Sequence, residues 1–158
     1  MEYAKVVKRD LLLNQLIDGR HNHLIKIVTG IRRSGKTFLL FNLFSEYLHD
    51  EGIDDNHIIR IALDDRKNVK LCNSDSILEY LDSKLIDDKM YYVLIDEVQM
   101  LDDFVGVLNS LLHRQNVDTY VTGSNSKFLS KDVATEFRGR GDEIHIYPLS
   151  FVIGRAHV

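Results

Sequence analysis

Apolar and polar positions alternate along this chain in two rhythms. Short, nearly unbroken apolar runs form one: "LIKIV" (Leu24–Val28), "HIIRIAL" (His57–Leu63), "MYYVLIDE" (Met90–Glu97), "DTYVTGS" (Asp118–Ser124) and "EIHIYPL" (Glu143–Leu149). Runs this short, rich in β-branched and aromatic residues and closed by Gly, Ser or acidic residues, predict buried strands. The other rhythm repeats every three to four residues. "TFLLFNLFSEYLHD" predicts a helix ending near Gly52, and "DSILEYLDSKLIDD" places Ile77 or Leu78, Leu81 and Leu85 on one face, with Asp75 as its N-cap. "DDFVGVLNSLLHRQ" carries Phe104, Val107, Leu108, Leu111 and Leu112 at helical spacing, and a further helix over about Arg9 to Ile17 precedes the first strand. Five strands alternating with helices predict an α/β fold, a mainly parallel sheet with helices on both faces.

Composition narrows the class. The 158 residues suit one domain, and 44% apolar with 28% charged residues is ordinary for a globular protein. The net charge of −4, from 24 acidic and 20 basic side chains, gives no whole-domain nucleic-acid footprint. Cys72, the single cysteine, has no internal disulfide partner and no metal-ligand spacing around it. The N-terminal segment has only a short apolar run broken by charges, which fits neither a signal peptide nor a membrane span, and a cytoplasmic protein is expected. His21 and His23 form an H-x-H pair in a polar loop without a third ligand nearby, so they read as surface residues.

The segment Gly30-Ile31-Arg32-Arg33-Ser34-Gly35-Lys36-Thr37 fits G-x-x-x-x-G-K-[ST] at every position, between a strand and a helix. Its glycines permit a turn whose N–H groups face phosphate oxygens, and the following helix adds its positive end. Lys36 would neutralise β- and γ-phosphates, and the Thr37 hydroxyl would bind magnesium. Gly30, Ser34, Gly35, Lys36 and Thr37 are therefore the candidate nucleotide-binding residues. Arg32 and Arg33 remain unassigned.

"YYVLIDE" ends an apolar strand in two acids. Asp96 at the sheet edge can support the magnesium, and Glu97 can polarise an attacking water as general base. The competing reading is a strand end capped by solvated acids. After the fourth strand, Ser124 or Asn125 can contact the γ-phosphate, or the residues can be a plain Gly-Ser-Asn turn. Arg138 and Arg140 suit the charge on a transferring phosphoryl group, but ordinary surface arginines would look the same.

Together "TGIRRSGKT", "YVLIDEVQ", "TGSNSKFLS" and "FRGRGDEIHIYPLSF" resemble the AAA+-type P-loop ATPases, especially a prokaryotic group whose ATPase module precedes a C-terminal domain of poorly defined function. The resemblance runs from about Ile25 to Phe151. It implies a three-layer P-loop NTPase fold, ATP and Mg2+ held by Lys36, Thr37 and Asp96, and water activated by Glu97. It casts Ser124 or Asn125 as a sensor and Arg140, with Arg138 second, as an arginine finger acting in trans within a homo-oligomer. It also implies a sheet in which the sensor strand lies between the Gly-rich-loop strand and the Asp-Glu strand.

The chain departs from that pattern after its fifth strand, where the small helical lid would follow. Ile153–Val158 equals one reading frame of a widely used sequencing-library adapter. Residues 1–152 are thus expected to form an AAA+-like ATP-binding core, 153–158 a non-native tail, and the natural protein to be longer. The leading functional expectation is magnesium-dependent ATP hydrolysis coupled to a protein or DNA partner that the sequence does not identify, with no membrane involved. Two alternatives stand beside it: a non-hydrolysing nucleotide switch or scaffold, and a small P-loop kinase. A GTPase fits poorly, because "SNSK" lacks the aspartate of N-K-x-D that would read guanine.

Overall fold

A computed structural model describes residues 2–30, 35–123 and 141–145, with side chains for 10–30 and 35–123. Helix α1 (Glu2–Asp18) leads into strand β1 (Ile25–Thr29). Helix α2 follows the Gly-rich turn as a π-helical stretch, Phe38–Phe44, that runs directly into an α-helical one, Ser45–Asp50. Then come β2 (Ile58–Ala62), α3 (Ser74–Lys84), β3 (Tyr91–Asp96), α4 (Phe104–Leu112), β4 (Val117–Gly123) and β5 (Gly141–His145). The five strands form one sheet in the order β2-β3-β4-β1-β5, and every pairing is parallel. β4 therefore lies between β1 and β3, as the family resemblance implied.

The first four apolar runs supply β1 to β4, and helices cover both faces of the sheet there. All of β1 and β3 is buried, as parallel strands under helices on both sides require. Side chains alternate between faces with period two. Tyr91, Val93 and Ile95 join Ile77 and Leu81 of α3 and Val107, Leu108 and Leu111 of α4 in one core. Tyr92, Leu94, Val28 and Tyr120 face the other way, onto Leu12 and Leu16 of α1 and Leu39, Leu40, Phe44 and Leu48 of α2.

That parity decides where the polar residues go. Lys26 shares a face with Val28, Asp118 and Thr122 with Tyr120, and Asp96 with Leu94, all toward α1 and α2. This inner face is apolar in its middle and polar at both ends. At the end where the strands begin, Lys26 Nζ donates to Asp118 Oδ1 (2.5 Å), Leu24 O (2.8 Å) and Asn22 Oδ1 (3.1 Å). At the end where they finish, Asp96 meets the turn that follows β1.

Two local expectations shift. The N-cap of α3 is Asn73, not Asp75: Asn73 is extended (φ −86, ψ 132) and its side chain accepts from the Ser76 amide at 3.0 Å, while Asp75 lies inside the first turn. An N-cap needs non-helical backbone angles, and Asn73 has them. The N-terminal helix also begins earlier, at Glu2. Gly52 (φ +87) ends α2 as read, since a left-handed residue there favours glycine. No helix among the described residues is long and apolar enough to cross a membrane.

Candidate nucleotide site

The site lies at the sheet edge where parallel strands end, the usual place for ligands in such sheets. Gly30 follows β1 directly. Gly35 closes the turn with φ +94, a left-handed angle that a side chain would strain. Among the described residues, nothing beyond its own chain neighbours lies within 4 Å of where a Cβ on Gly35 would stand. The Leu39 amide donates to Gly35 O at 2.9 Å, which starts the helix at once and leaves the preceding amides at its positive end.

Lys36 is buried, and its Nζ donates to Gly30 O at 2.7 Å, so the ammonium bridges the two ends of the Gly-rich turn. The Thr37 hydroxyl lies 3.0 Å from each oxygen of Asp96. Asp96 also accepts from the Thr122 hydroxyl at 2.6 Å. Burial pushes the Asp96 carboxyl above its ordinary value; the Thr122 and Thr37 hydrogen bonds oppose that rise, and the charges of Glu97 and Asp64 add to it. An acid carrying that burden gains from a nearby cation.

Glu97 takes a left-handed conformation (φ 58, ψ 52), uncommon for a non-glycine residue. Its amide donates to Thr122 Oγ1 at 2.9 Å, and its Oε2 accepts from Gln99 Nε2 at 2.5 Å. Gln99 Oε1 is buried without a hydrogen-bond partner among the described residues. The structure thus brings Gly30, Gly35, Lys36, Thr37, Asp96 and Glu97 to one sheet edge. Ser34, Ser124, Asn125, Arg138 and Arg140 lie outside the described residues, as does the 153–158 tail.

The chemistry of the donor set fits a magnesium nucleotide. A hard cation takes hydroxyl and carboxylate oxygens, and magnesium commonly uses one or two protein ligands with phosphate and water. Among the described residues no group of three or more His, Cys, Asp or Glu could hold a metal by itself. Thr37 and Asp96 therefore suit an ion that arrives with phosphate oxygens.

A sequence model described as an AAA domain matches residues 22–152. The chain belongs to the AAA domain family. An uncharacterized protein of Haemophilus influenzae is 34% identical over 148 residues, covering 92% of this chain and 36% of that protein. An uncharacterized protein of Methanocaldococcus jannaschii is 34% identical over 155 residues, covering 94% of this chain and 31% of that protein. The AAA domain described here spans about a third of the length of these curated relatives. Among solved structures, Caenorhabditis elegans PCH-2 superposes with a TM-score of 0.56 at 18% identity, over 85% of this chain and 40% of that one. At that identity the likeness speaks for the AAA+ fold alone. AAA+ modules generally bind ATP with magnesium and hydrolyse it.

Two residues of this AAA domain escaped the sequence reading: Thr122 and Gln99. Thr122 lies inside a strand that reads as core, and only the β3-β4 adjacency brings it to Asp96. Gln99 was visible only as the residue two beyond Glu97. The remaining histidine expectation agrees with the structure, for His21 and His23 are both exposed.

Proposed function

We propose that this chain is an ATP-binding, magnesium-dependent ATP-hydrolysing core within residues 1–152, which couples nucleotide state to a partner. The observation that carries the reading is the Thr37–Asp96 contact. It joins the end of the Gly-rich turn to the end of β3, 59 residues apart, in a pair of oxygen donors. Lys36 would turn from Gly30 O to the β- and γ-phosphates, and Gly30, Ser34 and Gly35 would cradle them. A bound magnesium ion would offset phosphate charge; Thr37 and Asp96 are the residues to hold it. Glu97, adjacent to Asp96, would take a proton from the attacking water.

Strand register supports the outer roles. Gly123, the last residue of β4, pairs with Thr29, so β4 ends beside the start of the Gly-rich turn, and Ser124 and Asn125 are the next residues in sequence. A γ-phosphate contact from either is the proposal. Gly141, the residue after Arg140, pairs with Ile25, at the opposite edge of the sheet. That is about 13 Å from Thr29 at ~3.3 Å per residue. The separation favours Arg140, with Arg138 second, acting on the nucleotide of a neighbouring copy in a homo-oligomer.

A second reading, a non-hydrolysing nucleotide switch, draws on the Glu97–Gln99 hydrogen bond, which engages the carboxylate the base would need free. Product analysis with magnesium ATP separates the readings. Free phosphate supports hydrolysis, tight binding without product supports the switch, and a phosphorylated acceptor would point to a kinase. No ATP binding at all would overturn the nucleotide assignment.

A further inference from the structure

We infer that Thr122 is a positioning residue that sets the Asp96 carboxylate and the Glu97 turn from the neighbouring strand. The inference rests on the ATP-magnesium reading of the site and extends it to β4. Thr122 is fully buried, and one hydroxyl serves both acids: it donates to Asp96 Oδ1 at 2.6 Å and accepts from the Glu97 amide at 2.9 Å.

The direction of these bonds is fixed by chemistry. An amide N–H can only donate, so the Thr122 proton has no role toward Glu97 and goes to the carboxylate. Thr122 therefore holds Asp96 from the strand side, while Thr37 approaches from the loop side at 3.0 Å. When Thr37 turns its oxygen to a cation, the Thr122 bond would remain and keep the carboxylate plane aimed at the ion. The same hydroxyl takes up the amide at the strained residue, Glu97, whose φ of 58 needs such support. Both acids thus take their geometry from one oxygen on β4, the strand that ends where Ser124 and Asn125 begin. Buried threonines in sheets are common, but a second role beyond filling space is marked here by both hydrogen-bonding capacities being spent on consecutive site residues.

Thr122→Val keeps the shape and removes both bonds; Thr122→Ser keeps the hydroxyl. ATP is titrated calorimetrically into the 158-residue chain, once with magnesium chloride and once with EDTA. Losing an outer-shell partner typically lowers metal affinity about 10- to 100-fold. The magnesium-dependent gain in ATP affinity is therefore expected to fall about tenfold or more in Thr122→Val. Affinity in EDTA should stay at the parent value, and Thr122→Ser should recover most of the gain. A purely space-filling Thr122 would shift thermal stability but leave the magnesium gain intact. A folded Thr122→Val with parent-like gain overturns the inference, as does an equal loss in Thr122→Ser. If Thr122→Val does not fold, amide hydrogen exchange in the parent decides: Glu97 N–H should exchange slowly, and exchange as fast as in open loops rejects the bond. A parent without any magnesium-dependent ATP affinity overturns the ATP-magnesium reading itself, and the inference falls with it.

Discussion

The Thr37 hydroxyl stands 3.0 Å from both oxygens of Asp96, and burial outweighs the hydrogen bonds from Thr122 and Thr37 in setting the acid's pKa. The acid is buried, hydrogen-bonded and yet raised above its ordinary value. Such an arrangement is costly for the ligand-free chain and useful to a cation-bound one, which makes Asp96→Asn informative.

In Asp96→Asn, the amide can accept from Thr122 and donate to Thr37 without a buried charge. We expect thermal stability without ligand to rise, by about 0.5–2 kcal/mol, the usual gain when a functional strain is removed. The stabilising effect of magnesium ATP should vanish in the same variant. The pH dependence has a definite sign. A raised carboxyl binds its proton more tightly in the folded chain, so this group's contribution is full below 3.8 and is lost as pH rises through the folded value. Melting curves across pH 3–7 should show a smaller decline from this group in Asp96→Asn (~pH 3–7 being the window in which a raised carboxyl titrates). A variant less stable than the parent at neutral pH would contradict the argument.

Lys36 offers the reverse combination, a large loss of binding at small structural cost. Its ammonium bonds Gly30 O at 2.7 Å, an interaction confined to the turn. Hydrogen bonds to charged groups are worth about 1.5–3 kcal/mol, so Lys36→Ala should weaken ATP binding by roughly ten- to a hundredfold. The melting temperature of the ligand-free chain should change little. Lys36→Arg should not restore binding, because a planar guanidinium does not replace a compact ammonium in a tight turn. Equal ATP affinity in Lys36→Ala and the parent would remove Lys36 from the site.

The strands, the helices and the Gly-rich turn could be read from the sequence because each depends on local pattern: period two, period three to four, or fixed spacing. Asp96 followed from the end of its strand. Thr122 did not, although the family resemblance implied that β4 lies against β3, because a threonine inside a buried strand reads as core until the strand register brings its hydroxyl to Asp96 and the Glu97 amide. Lys26 was hidden for a related reason. It sits inside "LIKIV", where a lysine reads as a blemish in an apolar run, until Asp118 is brought opposite it from 92 residues away. The Asn73 cap was missed by two positions, within the range over which helix ends are set by backbone angles rather than composition.

Glu97→Gln separates turnover from binding. The substitution keeps size and hydrogen-bonding capacity at a left-handed position but removes the basic oxygen. If Glu97 is the general base, phosphate release should fall by about 100- to 10,000-fold while ATP affinity changes little. Gln99→Leu complements it, because Gln99 Nε2 donates to Glu97 Oε2 at 2.5 Å. Releasing that bond should raise phosphate release if Gln99 restrains the carboxylate. Unchanged turnover in Glu97→Gln would remove Glu97 as the general base.

The ion pair of Lys26 and Asp118 provides a stability test far from the nucleotide. Lys26 is fully buried, and Asp118 also accepts from the Tyr120 hydroxyl at 2.7 Å and the His21 amide at 3.1 Å. Burial and the Asp118 charge push the Tyr120 phenol far upward, so it stays protonated and remains a donor. The Lys26 ammonium lies 4.8 Å from the centre of the Tyr120 ring, which adds a cation–π contact. Breaking a buried pair from one side costs about 3–5 kcal/mol, because the remaining charge is left without its partner. Lys26→Met should therefore destabilise the chain by that amount, and Asp118→Asn by a comparable one, since either leaves one charge buried. In the double variant neither charge remains, so its loss should be clearly less than the sum of the two single losses. Chemical denaturation of the four proteins gives the coupling energy. Strict additivity would show that the pair contributes through packing alone.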